Sequence, residues 1–432
     1  MSRRSNRPAI RFISAVAVSA LLTGPAFGAG FGIFEQGTKA MGMAGAYTAQ
    51  ADDPSAMFHN VAGLAFQKEQ DFAVGLTYIY GADATYQGAA PFPGPSVTAE
   101  QETLSAVPPH AYWVRPINDR VTFGLGVNAP FGLTTEWDED FPGRFVSRRA
   151  ALRAVDVNPS IAWQASDRLG IGIGLVGRFT DVQLDQHVAA FNPLTLGFAD
   201  VGVLKLETDL ESGFGFNLGL LHKVGEYFSW GLSYRSSVDV DYGGDGVLRQ
   251  RFTGTPFDTA VAGLLPFDQD LPVEAELEFP QMASLGFAFG LTENVTVETD
   301  VNWTGWSSFE ELTIDFVNDD LPDTTREQKW DDVFNYRLGI AWDRGQGRQW
   351  RFGYVFDETP QPEESVSPLL PDADRNGFTI GYGFEGNKRE FDIALMYLDF
   401  DERTRARSFA GESDFFGTYQ NEAWLLGLTI GF

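Results

Sequence analysis

Trp424-Leu425-Leu426-Gly427-Leu428-Thr429-Ile430-Gly431-Phe432 carries its bulkiest apolar side chains at every second position. Successive side chains of an extended strand point to opposite faces. Trp424, Leu426, Leu428, Ile430 and Phe432 therefore share one face, and Leu425, Gly427, Thr429 and Gly431 the other. The same period recurs upstream. Val295, Val297, Val301 and Trp303 alternate with Thr296, Glu298, Asp300 and Asn302, and Trp350, Phe352, Tyr354 and Phe356 with Arg351, Gly353 and Asp357. Phe228, Trp230, Leu232 and Tyr234 oppose Ser229, Gly231, Ser233 and Arg235, while Phe378, Ile380, Tyr382 and Phe384 oppose Thr379, Gly381, Gly383 and Glu385. A soluble sandwich also alternates, but its outer face carries many lysines and other charges. Here one face is large and apolar, and the other is mostly glycine, serine, threonine and isolated charges, as lipid on one side and a lumen on the other require. Trp113, Trp163, Trp230, Trp303, Trp342 and Trp424 lie near strand ends, where they fit interfacial girdles. The fold class that follows is all-β, a transmembrane antiparallel β-barrel.

The 432 residues hold 47 glycines and 37 phenylalanines. Beyond the first few dozen residues no run is apolar and long enough for a membrane-spanning helix. The alternating runs predict about fourteen strands beginning near residues 71, 104, 120, 150, 168, 203, 226, 274, 293, 330, 348, 375, 388 and 420. Short turns near Pro116 to Asp119, Ala165 to Asp167, Gly225, Thr292, Arg344 to Gly347 and Gly386 to Asn387 face the periplasm, and long loops face outward. The final Phe432 resembles the C-terminal aromatic signal read by the barrel-assembly machinery, although Leu425 departs from the polar residue that signal often has.

Arg3, Arg4, Arg7 and Arg11 precede the apolar stretch Phe12 to Leu22, followed by Ala26-Phe27-Gly28. This is the pattern of a secretory signal peptide spanning 1–28, with cleavage after Gly28 or Ala29. Its removal takes the formal charge from −28 to about −32, which excludes nucleic acid as a partner, since phosphate neutralisation needs a basic face. Cysteine is absent, so disulfides and thiolate sites are not available. The acidic clusters from Glu136 to Asp140 and from Asp315 to Asp323 read as solvated loops, with a divalent bridge to surface lipopolysaccharide as the alternative. No cofactor or metal is expected, and the chain is expected to act as a monomer.

Residues 29–70 precede the barrel, 71–432, without sustained alternation and with many small residues. They read as a plug inside the lumen or, alternatively, as a free periplasmic extension. The loops from Gln186 to Gly202 and from Tyr242 to Pro272 are long yet apolar. Phe191, Leu194, Leu196 and Phe198 (with Val188) stand in one, and Phe257, Val261, Leu264, Leu265 and Phe267 in the other. Exposed apolar area of this kind marks a binding surface, and the same residues could also pack the loops together. Strand parity points Arg178, Arg235, Arg337 and Arg351 into the lumen, where each could meet a cargo carboxylate or a lumen acid such as Asp300, Asp343 or Asp357.

Several stretches resemble the FadL family of outer-membrane transporters for long-chain fatty acids and other hydrophobic compounds. They are Gly30-Phe31, Gly37, Gly42, Gly45-Ala46-Tyr47, Ala51-Asp52-Asp53, Ser55-Ala56, Asn60-Val61-Ala62-Gly63-Leu64, Ala129-Pro130-Phe131-Gly132-Leu133, Gly143-Arg144 and Asn158-Pro159-Ser160. Val61 stands where that family usually has proline. The resemblance implies a hatch that includes Asn60, Ala62 and Gly63, ligand capture on the outer loops, and an inner pocket closed by Phe31, Ile33 and Phe34. It also implies Arg178 as the head-group ligand and sideways release at a kinked third strand, here Asn128, Ala129, Pro130, Phe131, Gly132 and Leu133. Pro130 cannot donate a ladder hydrogen bond and Gly132 tolerates unusual backbone angles, which suits a break in pairing or a simple strand end. His59, His110, His187 and His222 belong to no recognisable catalytic constellation, so an enzyme is not expected. The plug-like start and apolar loops speak against an open porin.

Overall fold

The computed structural model describes residues 30–318, 321–386 and 389–432. The expected signal peptide, and Asn387 in the last short turn, lie outside the described residues. Fourteen antiparallel strands form the wall. They are β1 (Asp71–Gly88), β2 (Pro109–Asn118), β3 (Val121–Glu136), β4 (Arg149–Ser166), β5 (Leu169–Asn192), β6 (Glu211–Lys223) and β7 (Phe228–Arg235). The second half comprises β8 (Met282–Thr292), β9 (Val295–Thr304), β10 (Val333–Asp343), β11 (Arg348–Asp357), β12 (Arg375–Glu385), β13 (Glu390–Phe400) and β14 (Gly417–Gly431). Each pairs with its neighbours, and β14 closes the ring by pairing with both β13 and β1, with Trp424 opposite Tyr397 and Tyr80. Closure leaves no open sheet edge to expose backbone groups to lipid.

The alternation read from the last strand is seen directly. Trp424, Ile430 and Phe432 are exposed on the outside, while Leu425 is buried within the wall beside Ile79 and Met41. The same holds in β9, where Val301 faces out and Glu298, Asp300 and Asn302 are buried.

Three strand positions expected from sequence are corrected. The run near 203 belongs to Gly197–Thr208, which pairs with the outer part of β5 and with Val238–Gln250. The run near 274 belongs to Asp270–Phe279, which pairs with Val238–Gln250 and Glu311–Phe316. Neither belongs to the wall, whose strands there begin at Glu211 and Met282. A strand needs only about 9–11 residues to cross the hydrocarbon, and β5 has 24. Its surplus carries an outer sheet that continues through these segments to Thr324–Glu327. Alternation cannot separate the two locations, because the outer sheet also has one apolar face. Near 104, Ser105–Ala106 is a separate short strand on β1, and β2 starts only at Pro109.

Residues 30–66 are folded inside the wall, with short helices at Thr38–Met41 and Ala56–His59 and a 3-10 turn at Val61–Phe66. Small inward residues make room for them. A Cβ on Gly172 would lie 2.6 Å from the Val61 carbonyl, and one on Gly231 would collide with the Thr48 carbonyl oxygen. Hydrogen bonds complete the seating. The Asp300 carboxylate accepts the backbone N–H groups of Tyr47 and Thr48, both at 2.9 Å. Glu298 accepts Ala49 N–H at 2.5 Å, and Asn60 Nδ2 donates to the carbonyls of Thr48 and Leu220 at 2.8 and 3.1 Å.

Candidate functional site

β3 is where the wall loses its regular pairing. Between Asn128 and Phe131 its register against β4 shifts, so that Ala129 and Pro130 bulge, as the missing N–H of proline permits. On its other edge, β3 pairs with β2 only as far as Val127, opposite Ala111. Contact with the β1–β2 loop resumes at Glu136, whose carbonyl accepts the Glu102 N–H at 2.9 Å. The intervening edge is taken by the inner segment. Ile33 N–H donates to Pro130 O at 2.7 Å, Gly132 N–H donates to Phe31 O at 3.0 Å, and Gly32 bridges Phe131. The Gln36 side chain brackets Ala129, accepting its N–H at 3.0 Å and donating to its carbonyl at 2.7 Å. Asn128 to Leu133 thus forms a strand break rather than a strand end.

Two cavities meet beside this break. One, of about 900 Å³, is apolar and lies between the inner face of the outer sheet and the top of the wall. Leu184, Leu206, Tyr242, Val273, Leu277 and Ile314 line it on the sheet side, and Leu133, Ala150 and Leu152 on the wall side. Phe31 closes it, held in an aromatic cluster with Phe131, Phe279, Trp306, Phe309 and Trp330 at centroid separations of 4.6 to 6.1 Å. The other, about 700 Å³, lies at the gap between Glu100 to Leu104 and Leu133 to Thr135. Leu133 and Leu370 line both. Asp372, in the β11–β12 loop, also lines the gap and accepts the Gly30 N–H at 3.0 Å. Burial pushes its carboxyl up to about 6.

Of the three residues expected to close the pocket, Phe31 does so. Ile33 instead packs beside Met41, Ile79 and Leu425, and Phe34 lies under Arg337, 4.5 Å from its guanidinium, and against Phe58. The two-residue period of a strand does not apply in an irregular segment, so these three neighbours point to different places.

The lumen arginines are all buried, as parity predicts, but each is engaged. Arg178, only 1 % exposed, donates through Nε and Nη2 to the Asp156 carboxylate at 2.8 and 2.9 Å. Its guanidinium lies 4.5 Å from the ring centroids of both Phe131 and Phe279. Arg178 does not itself line the apolar cavity; it lies behind Phe131 and Phe279, with Asp156 as its carboxylate partner. Arg235 reaches the same Asp156 at 3.5 Å, Arg351 pairs with Asp392 at 2.5 Å, and Arg337 donates to the Ala44 carbonyl at 2.6 Å. Among the expected acids, Asp300 holds the inner segment and Asp357 pairs with Arg375. Asp343 is instead exposed, at a turn where it caps Gly345 at 2.6 Å. The decisive partner, Asp156, stands in no pattern that sequence singles out.

The expected capture residues divide. Phe191, Leu194, Leu196, Phe198 and Leu264 are exposed, with Leu196 and Phe198 each 80 % accessible. Phe257 and Val261 are buried against Val201, with Leu265 and Phe267 partly buried beside them. These last four are therefore corrected from capture surface to the packing that joins the two loops.

A closed β-barrel with an apolar cavity beside a break in its wall fits the class of outer-membrane transporters of hydrophobic compounds. The chain belongs to the family of outer membrane protein transport proteins (OMPP1/FadL/TodX), whose model matches residues 19–432. It is 24 % identical over 460 residues to the long-chain fatty acid transport protein of Escherichia coli O6:H1, covering 97 % of this chain and 98 % of that protein. It is 25 % identical over 416 residues to outer membrane protein P1 of Haemophilus influenzae, covering 88 % and 87 %. Its fold matches the crystal structure of a Pseudomonas aeruginosa FadL homologue with a TM-score of 0.80 at 20 % identity, over 94 % of this chain and 99 % of the other. It also matches the Pseudomonas putida toluene transporter TodX, with a TM-score of 0.71 at 16 % identity over 94 % and 98 %. These relatives place the chain in the outer membrane of a Gram-negative cell.

Proposed function

We propose that this barrel takes up long-chain fatty acids, and other hydrophobic compounds of similar length, by a path that leaves through its wall. Cargo is captured on the exposed tips carrying Phe191, Leu194, Leu196, Phe198 and Leu264, then moves into the apolar cavity, then exits sideways at Asn128 to Leu133. The observation that carries this reading is the contact, through Leu133, between the apolar cavity and the edge of β3 that β2 leaves to the inner segment. Each methylene transferred from water into such a cavity is worth about 0.8 kcal/mol, so a hydrocarbon tail is held without any chemistry. Residues 30–66 act as the plug that keeps water and ions from following. The relatives named as long-chain fatty acid transport proteins support the acid as cargo. An aromatic hydrocarbon is the second reading, favoured by the lack of any lysine, arginine or histidine among the described residues lining the apolar cavity and by the fold shared with a toluene transporter.

A disulfide between the plug and the broken strand tests the path. Gly32 and Phe131 are opposed between two flanking hydrogen bonds, the antiparallel arrangement in which side chains approach most closely. The chain has no cysteine of its own. The double variant G32C/F131C, expressed in cells lacking their own transporter, is expected to stop oleate uptake when oxidised and restore it on reduction. Undiminished uptake with the disulfide verified by mass spectrometry would rule out movement of the plug from β3 as a step in transport.

A further inference from the structure

The outer loops enclose another cavity, of about 640 Å³, whose lining differs in kind. Its charged members are Arg326 and Arg405, opposed by Glu327 and Glu412, with Ser365 and Ser367 beside them. The negative charges are already occupied. Glu327 is paired with Lys329. Glu412 accepts the Glu327 N–H at 3.0 Å and stands 3.4 Å from Arg405 Nη2, a long ion pair. Arg405, only 2 % exposed, otherwise donates to the carbonyls of Arg407 and Ser413, both at 3.3 Å. Arg326 donates to the side-chain oxygen of Gln186 at 2.7 Å, a neutral partner, and forms no ion pair among the described residues. Glu412 is thus the carboxylate that acts on both guanidinium groups, with Asp414 adding to its pull on Arg405.

Arg326 is half-buried, and a cation drawn out of water without its own counter-charge is costly. Burial pulls the proton affinity of Arg326 down, and the charge of Arg405 adds to that against the opposing pull of Glu412. Such a cavity offers Arg326 to a further anion, since no carboxylate pairs with it among the described residues. Its position says which kind, because Gln328, itself buried, lines both this cavity and the apolar one. The planar fork of arginine matches a carboxylate through two parallel hydrogen bonds.

We propose that the cavity of Arg326 and Arg405 binds the carboxylate of an acidic amphiphile whose hydrocarbon tail lies in the apolar cavity beyond Gln328. This rests on the reading of the apolar cavity as the cargo site, and it supplies the cation that Arg178, committed to Asp156, does not. The phosphate of a surface lipid shares the chemistry, but the deep burial of Arg405 and the link to an apolar cavity through Gln328 favour the carboxylate.

Binding to the full chain in detergent micelles separates the possibilities. Oleate and oleyl alcohol share a tail and differ in the head group, so each is titrated against the natural chain, R326Q, R405Q and the double variant. Inorganic phosphate is titrated alongside. Oleate affinity is expected to fall about tenfold for each arginine removed, the loss of one charge-assisted hydrogen bond, while oleyl alcohol binding is unchanged. Oleate binding that survives the double variant overturns the proposal, as does an equal loss of both ligands. Phosphate binding abolished by the double variant with oleate intact overturns it in favour of a phosphate site. If neither oleate nor oleyl alcohol binds the natural chain, the cargo reading of the apolar cavity falls as well.

Discussion

Asp156 sits at a junction of charge in the lumen, holding Arg178 in a two-pronged pair and Arg235 at longer range. Two cations depending on one buried carboxylate make it more consequential than either arginine. Asp156→Asn removes the charge while keeping the shape and leaves both guanidinium groups uncompensated. Breaking a buried pair by removing one partner costs roughly 3–5 kcal/mol, and a loss of that order is expected in urea unfolding of the reconstituted barrel. Oleyl alcohol binding should survive in the folded fraction, because neither Asp156 nor Arg178 lines the apolar cavity. A stability change under about 1 kcal/mol would mean that the arginines find other partners.

At the scale of elements, the inner segment and the wall are fitted by the absence of side chains. Strands β5 and β7 approach the inner segment at Gly172 and Gly231, where an added Cβ would meet backbone atoms rather than a flexible side chain. Backbone cannot move aside as a side-chain end can, so the cost falls on the plug. Gly231→Val is expected to lower stability by about 1–3 kcal/mol, the range for overpacking a filled interior, and to raise proteolysis within residues 40–60. Gly225→Ala, in the open β6–β7 turn with nothing within 4 Å of the added atom, serves as the control and should change neither. Equal protease resistance in the two variants would show that the plug does not depend on this contact.

For the whole molecule, closure by β14 against β1 makes the wall continuous except at β3, and residues 30–66 occupy the space inside. The intact chain in a planar bilayer is therefore expected to show no large steady conductance, and deletion of residues 30–60 should produce one. A wide, persistent channel from the intact chain would place it among open porins. The same architecture places the apolar cavity beneath the outer sheet, beside the break in β3.

Sequence by itself determined most of the wall. A two-residue period is imposed by the geometry of an extended backbone between two different solvents, so Trp424 to Phe432, Val295 to Trp303 and Trp350 to Phe356 are legible without any contact being known. Parity likewise placed Arg178, Arg235, Arg337 and Arg351 inside, whereas the missing N–H of Pro130 suited a break in pairing and a simple strand end alike. Tertiary structure alone decided what those side chains meet. Asp156 lies 22 positions from Arg178 in the chain, and only the register of β4 against β5 brings them opposite each other. The outer sheet built from the runs near 203 and 274 escaped reading as a cavity lid, because an apolar face turned toward a cavity and one turned toward lipid have the same alternation. The polar cavity in the outer loops is assembled from Arg326 and Arg405, 79 residues apart in the sequence. The pattern along the chain fixes which way a side chain points, and only the closed ring fixes who stands across from it.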